Sequence, residues 1–177
     1  LASRGTAVLR LPERGGRPSE RPLGAPPTGH LDRHVAGLPW VGPALRRGIH
    51  VARDLPDGGL LAVTAGACWR GERIPDGGPT RRTWEKSLIF RGFRRPARNG
   101  LLVHGDRVWL AQYALNHDRT QPMRLWRSDD SGRTFAPVYT FPAGAVRHIH
   151  FIERDPFTGH LWLGTGDRDE ESTLLRS

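Results

Sequence analysis

Short apolar runs bounded by glycine, proline or aspartate recur along the chain from Gly48 onward. Val108-Trp109-Leu110 and Leu161-Trp162-Leu163-Gly164-Thr165 are the clearest, rich in bulky, aromatic and β-branched residues. Runs of this length and composition predict strands covered on both faces. Helical fragments are the rival reading, but Asp-Gly and Pro-Asp-Gly-Gly turns lie only a few residues away and leave no room for helix. Residues 1–46 read differently. Leu11-Pro12-Glu13-Arg14-Gly15-Gly16-Arg17-Pro18 and Gly24-Ala25-Pro26-Pro27 carry little periodicity of either kind. This part reads as an irregular Arg/Pro/Gly-rich segment, a disordered tail or a worn copy of the repeat that follows.

The repeat appears on aligning the chain with itself. Ile49-His50, Pro56, Gly59, Leu61, Val63 and Gly66 return 100 residues later as Ile149-His150, Pro156, Gly159, Leu161, Leu163 and Gly166. Between them Gly100-Leu101-Leu102-Val103, the turn His104-Gly105-Asp106 and Arg107-Val108-Trp109-Leu110-Ala111-Gln112-Tyr113 form a third version, so the unit is about 50 residues. A second echo pairs Arg124-Leu125-Trp126-Arg127-Ser128 with Thr173-Leu174-Leu175-Arg176-Ser177, and Cys68-Trp69-Arg70-Gly71 is a fainter copy. Each unit reads as strand, tight turn, strand, variable loop, strand, turn and strand.

Ser128-Asp129-Asp130-Ser131-Gly132-Arg133-Thr134-Phe135 matches Ser-x-Asp-x-Gly-x-Thr-Trp/Phe at every defined position. With this box the chain resembles the sialidase-like bacterial-neuraminidase-repeat (BNR, Asp-box) β-propellers, which include sialidases and many non-enzymatic relatives. The box is a structural turn: Ser128 opens it, Asp130 accepts backbone N–H bonds across it, Gly132 supplies a backbone angle that other residues resist, Thr134 closes it and Phe135 packs beneath. The resemblance covers about residues 48–177. It implies an all-β fold in which 47–177 form antiparallel four-stranded blades of a β-propeller, about three of them and the set incomplete. Trp69 to Trp84, with Asp76-Gly77-Gly78 and the closing Thr83-Trp84, reads as a degenerate box. Leu175-Arg176-Ser177 reads as the lead-in to another, so we expect a partial chain that stops in mid-blade and self-associates through its open edges.

Composition adds little. Twenty-two Gly, fifteen Pro and 8% aromatics suit a turn-rich all-β protein. No apolar run nears the twenty residues needed to cross a bilayer, so no membrane partner is assigned. The net charge of +9 is almost wholly arginine, Lys86 being the single lysine. Those arginines are scattered without an aromatic-interleaved stripe, which disfavours nucleic acid and leaves a weak preference for anionic ligands. Cys68 is the only cysteine, which excludes an internal disulfide and a cysteine metal cluster. The N-terminus shows no signal segment, and the sequence assigns no compartment.

Within a blade the strands alternate direction. The turn after the first strand and the Asp-box turn share one face, and the segment leading into a blade shares the other with the loop between second and third strands. On that opposite face fall His50, Arg147, His148 and His150, the loop Tyr113-Ala114-Leu115-Asn116-His117-Asp118-Arg119 and the loop Asp167-Arg168-Asp169-Glu170-Glu171. Binding candidates are His50, Asn116, His117, His148, His150, Asp169 and Glu170; catalytic candidates are Tyr113, Asp118, Arg147 and Asp167. The resemblance implies a tyrosine nucleophile assisted by a glutamate, an acid/base aspartate and three carboxylate-gripping arginines if the protein is a retaining sialidase. No recognisable catalytic motif surrounds these candidates. Glu72-Arg73-Ile74-Pro75 lacks the aromatic that opens the sialidase Phe/Tyr-Arg-Ile-Pro signature.

The segment from Tyr139 to Asp169 is also similar to bacterial BNR-repeat proteins labelled glycosyl hydrolases or exo-sialidases, labels that rest on fold. The expected function is therefore a glycoside hydrolase acting on glycans, with a non-catalytic carbohydrate- or protein-binding propeller as the alternative. No cofactor and no metal are assigned. His148 and His150 read first as hydrogen-bonded inner-strand side chains, and metal chemistry would require His50, His148 and His150 to converge on one ion at about 2.0–2.2 Å.

Overall fold

The computed structural model describes residues 2–4, 7–9, 22–28, 48–75, 81–91 and 95–177. Among them every regular element is a β-strand, and none is a helix. The chain divides into two compact units, Leu1–Ile89 and Phe90–Ser177.

The first unit holds two antiparallel sheets. Strands β1 (Ala2–Arg4), β2 (Ala7–Leu9) and β3 (Pro22–Gly24) form one, and the rest of the segment 1–46, apart from residues 25–28, lies outside the described residues. The second is a meander of β4 (Ile49–Asp54), β5 (Leu60–Thr64), β6 (Ala67–Arg73) and β7 (Arg82–Ile89). All five residues of β5 are buried, and its first four, Leu60 to Val63, accordingly run apolar without alternation. Val8 and Leu23 share a core with Ile49, Ala52, Leu60 and Ala62, and Trp84 packs against it. The Asp76-Gly77-Gly78 portion of the degenerate box lies outside the described residues, while Thr83 and Trp84 sit in β7.

The second unit repeats the plan. Strands β8 (Leu101–His104), β9 (Arg107–Ala111), β10 (Met123–Ser128) and β11 (Ala136–Phe141) form a four-stranded antiparallel meander. A further sheet holds β12 (Ile149–Arg154), β13 (Leu161–Thr165) and β14 (Leu174–Arg176). The two are stitched together by backbone bonds, Ile149 N–H to Gln112 carbonyl at 3.1 Å and Ile152 N–H to Asn99 carbonyl at 2.9 Å. Leu101, Val108, Leu110, Met123, Ile149 and Ile152 are all buried.

The repeat is structural, with one correction to its arithmetic. Ile49 pairs with Thr64 and Ile149 with Thr165, and each first strand bulges at the next residue, His50 or His150. In the second strands the offset is 101, because Leu60 opposes Asp54 whereas Leu161 opposes Arg154. The turn between β12 and β13 holds one more residue than that between β4 and β5. Leu161 is thus equivalent to Leu60, not to Leu61, and the match at 100 is a coincidence between positions that face opposite ways.

Candidate functional site

The Asp box joins β10 to β11 and closes on itself. Asp130 Oδ1 accepts the Ser128 hydroxyl at 2.6 Å and the N–H groups of Arg133 and Thr134 at 3.0 and 2.9 Å, while Oδ2 accepts the Thr134 hydroxyl at 2.6 Å. Ser128 Oγ in turn accepts the Gly132 N–H at 2.7 Å. Gly132 and Ser131 take left-handed φ of 79° and 57°, and Phe135 is half-buried. Burial opposes ionisation of Asp130, but the hydroxyl and N–H donors outweigh it and hold its pKa at about 2. Ser131 also donates through its hydroxyl to Asp106 at 3.0 Å, so the box is tied to the β8–β9 turn. These two turns occupy one end of the sheet.

The other end is built from connections whose length varies between sheets. Between β5 and β6 the chain turns on Ala65 and Gly66 alone. The matching connections in the second unit are the loops 112–122 and 166–173. These loops, with the segment leading into β12, bring together Tyr113, His117, Arg147, His148, His150 and Asp167.

Asp167 is the hub. Its Oδ1 lies 3.0 Å from Nε2 of His148 and 3.0 Å from Nε2 of His150, while Oδ2 takes the Arg147 guanidinium. The His150 bulge lets that ring meet His148 edge-on, centroids 4.6 Å apart. The Nδ1 of His148 faces the Ala114 carbonyl at 3.2 Å; a carbonyl can only accept, so Nδ1 carries the proton. Tyr113 stacks on the buried His148 ring with centroids 4.0 Å apart, and Arg147 Nη2 approaches His117 Nδ1 at 2.9 Å. His148 is almost fully enclosed, whereas the His150 side chain is 41% exposed.

Burial pushes the His148 pKa below the ordinary histidine value, against the pull of the Ala114 carbonyl and Asp167. Burial would raise that of Asp167, but the positive groups around it win and lower it. The lowering comes from His148 first, by charge and by hydrogen bond, and then from Arg147 and His150.

Two residues outside the sequence-derived candidates hold the loops in place. The buried Glu171 pairs with Arg119 of the other loop and accepts the Arg147 N–H at 2.7 Å and the Asp167 N–H at 3.4 Å. The Arg119 hydrogen bond lowers the Glu171 pKa, burial opposes it, and the two backbone donors add to the lowering. The sequence shows three acidic residues in a row and gives no sign of which turns inward. The Arg168 carbonyl decides it, accepting the N–H groups of Glu171 and Ser172 and curling the loop so that Glu171 points in.

The remaining candidates fall elsewhere. Asn116 is buried and clasps its own loop, donating to the Gln121 carbonyl at 2.9 Å and accepting the Gln121 N–H at 3.1 Å. Asp118, Asp169 and Glu170 are exposed on the two loops. His50 lies half-buried on β4 of the first unit. Cys68 is buried in β6, and that burial raises its thiol to about 12 despite the Ser87 hydrogen bond, too high for a nucleophile. No protein-family model, no curated protein and no solved structure matches the chain.

Proposed function

We propose that the chain is part of an Asp-box β-propeller that binds a glycan at the Tyr113/His117/Arg147/His148/His150/Asp167 cluster. The observation that carries this is the convergence of an aromatic ring, three histidines, an arginine and a carboxylate from two long loops and the entry to β12, at the sheet end away from the Asp box. Loops grafted on a repeated scaffold are where binding groups concentrate. Four-stranded antiparallel meanders of about 50 residues, one closed by a full Asp box, support the propeller part of the reading.

Binding is favoured over the retaining-sialidase scheme by how the groups are already engaged. Arg147 is paired with Asp167 and Arg119 with Glu171, so neither is set aside to grip a substrate carboxylate. Tyr113 presents its ring to His148. The test is a glycan array probed with the chain, followed by His150→Ala and Arg147→Ala on any glycan retained, alongside hydrolysis assays on the same sugars. Retention that both substitutions abolish supports the reading. Indifference to both would place the binding site elsewhere, and hydrolysis would restore the glycosidase reading.

A further inference from the structure

The second unit carries two groups that the fold itself does not require. In the first unit the bulge holds His50, but Gly48 stands where the second has His148, and Gly66 of the two-residue turn stands where it has Asp167. The first sheet forms regardless. His148 and Asp167 are therefore additions to a scaffold that closes without them.

From this geometry we infer that His148 Nε2, His150 Nε2 and an Asp167 oxygen form a binding site for one divalent transition-metal ion, of the Zn²⁺ or Mn²⁺ class. The three ligand atoms lie within 4.8 Å of one another. An ion at 2.0–2.2 Å from each ligand sets neighbouring ligand atoms about 3 to 3.5 Å apart, and both His–Asp separations of 3.0 Å already meet this. The outer contacts are those of a metal site. The Nδ1–H of His148 is committed to the Ala114 carbonyl, which leaves Nε2 as the ring nitrogen that faces Asp167, and Arg147 fixes the second Asp167 oxygen. Two imidazoles and one carboxylate select a transition metal over Ca²⁺ or Mg²⁺, which prefer all-oxygen shells. His150 reaches the ion by releasing the Gly166 carbonyl, its present acceptor, and its exposure leaves the outward side of the ion open to a ligand.

The ion also gives the glycan reading, on which this part rests, its charge preference. Arg119 and Arg147 are balanced by Glu171 and Asp167, so the cluster attracts an anion only weakly as it stands. A divalent cation makes it net positive and offers open positions to a carboxylate, which points to acidic sugars.

The experiment titrates the chain, stripped of metal, with ZnCl₂ and with MnCl₂ by calorimetry, and with Co²⁺ by visible absorption. One equivalent of uptake is expected, weakened about tenfold or more in His150→Ala and in Asp167→Asn and unchanged in His104→Ala at the far end of the sheet. His150 is exposed enough for its variant to fold even where Asp167→Asn does not. Absence of saturable uptake, or equal uptake in the native chain and in His150→Ala, overturns the site. The titration contains no glycan, so uptake without glycan retention would sink the glycan reading alone. Retention of an acidic glycan that is indifferent to chelator, by a chain that takes up no metal, would sink the metal alone.

Discussion

Glu171 accepts the backbone N–H of Arg147 at 2.7 Å, so a carboxylate from the loop 166–173 fixes the segment that leads through His148 into β12, where His150 is the second residue. The same carboxylate takes the Arg119 guanidinium from the loop 112–122. Glu171→Gln keeps the shape and removes the charge, leaving Arg119 without its counter-ion. The expected outcome is a melting temperature lower by a few degrees, with faster amide exchange in both loops and an unchanged rate in β9 and β10. Exchange that quickens evenly through the second unit would show that Glu171 supports the sheet rather than the loops.

Asp130→Ala removes an acceptor of two N–H groups and two hydroxyls, and should cost about 0.5 to 2 kcal/mol while leaving affinity at the opposite end of the sheet unchanged. The pH dependence has a definite sign. The folded carboxyl sits at about 2, below its ordinary 3.8. Its contribution is therefore complete well above pH 3.8 and is lost as pH falls through about 2. Urea unfolding of the native chain and the variant should differ at pH 7 and draw together as pH falls between those two values. A gap that persists at the acid end would mean that the carboxylate charge contributes nothing.

These cases show what could be seen in the chain alone. The Asp box was legible because its eight positions are contiguous and the bonds that close it, from Ser128 to Thr134, are local. The strands were legible because short apolar runs between turn residues leave few alternatives. The alternation of strand direction then sorted loops by sheet end. What a loop residue does is decided across distances the sequence does not display. Asn116 clasps its own loop, Glu171 and not Glu170 turns inward, and Arg119 pairs across 52 positions. The extra residue in the β12–β13 turn was equally hidden, since Leu60, Leu61 and Leu161 look alike as letters.

Gly166 has no room for a side chain. Its φ is +81°, and a Cβ placed there would lie 2.3 Å from the Glu171 carbonyl oxygen. Gly166→Ala should therefore destabilise the second unit by roughly 1 kcal/mol or more and displace the neighbouring Asp167. The diagnostic is local: chemical shifts of His148 and His150 should move while those of the Asp box stay fixed. A variant with native stability and native histidine shifts would mean that the loop relaxes freely without moving Asp167.

Tyr113 separates the two readings of the site most sharply. If its ring serves as a platform, stacked on His148 and presenting its free face to a sugar, the hydroxyl is dispensable and the aromatic surface is not. Tyr113→Phe should then keep glycan affinity within about twofold, whereas Tyr113→Ala loses the stacking and with it roughly 0.5 to 1.5 kcal/mol, a loss of about two- to tenfold. A covalent scheme demands the reverse for turnover, because phenylalanine offers no oxygen to attack the anomeric carbon and would be as inactive as alanine. Affinity and turnover measured on both variants distinguish the two. Retained binding in Tyr113→Phe with no hydrolysis by the native chain supports recognition, whereas native hydrolysis abolished by that single oxygen makes Tyr113 the nucleophile and the cluster an active site.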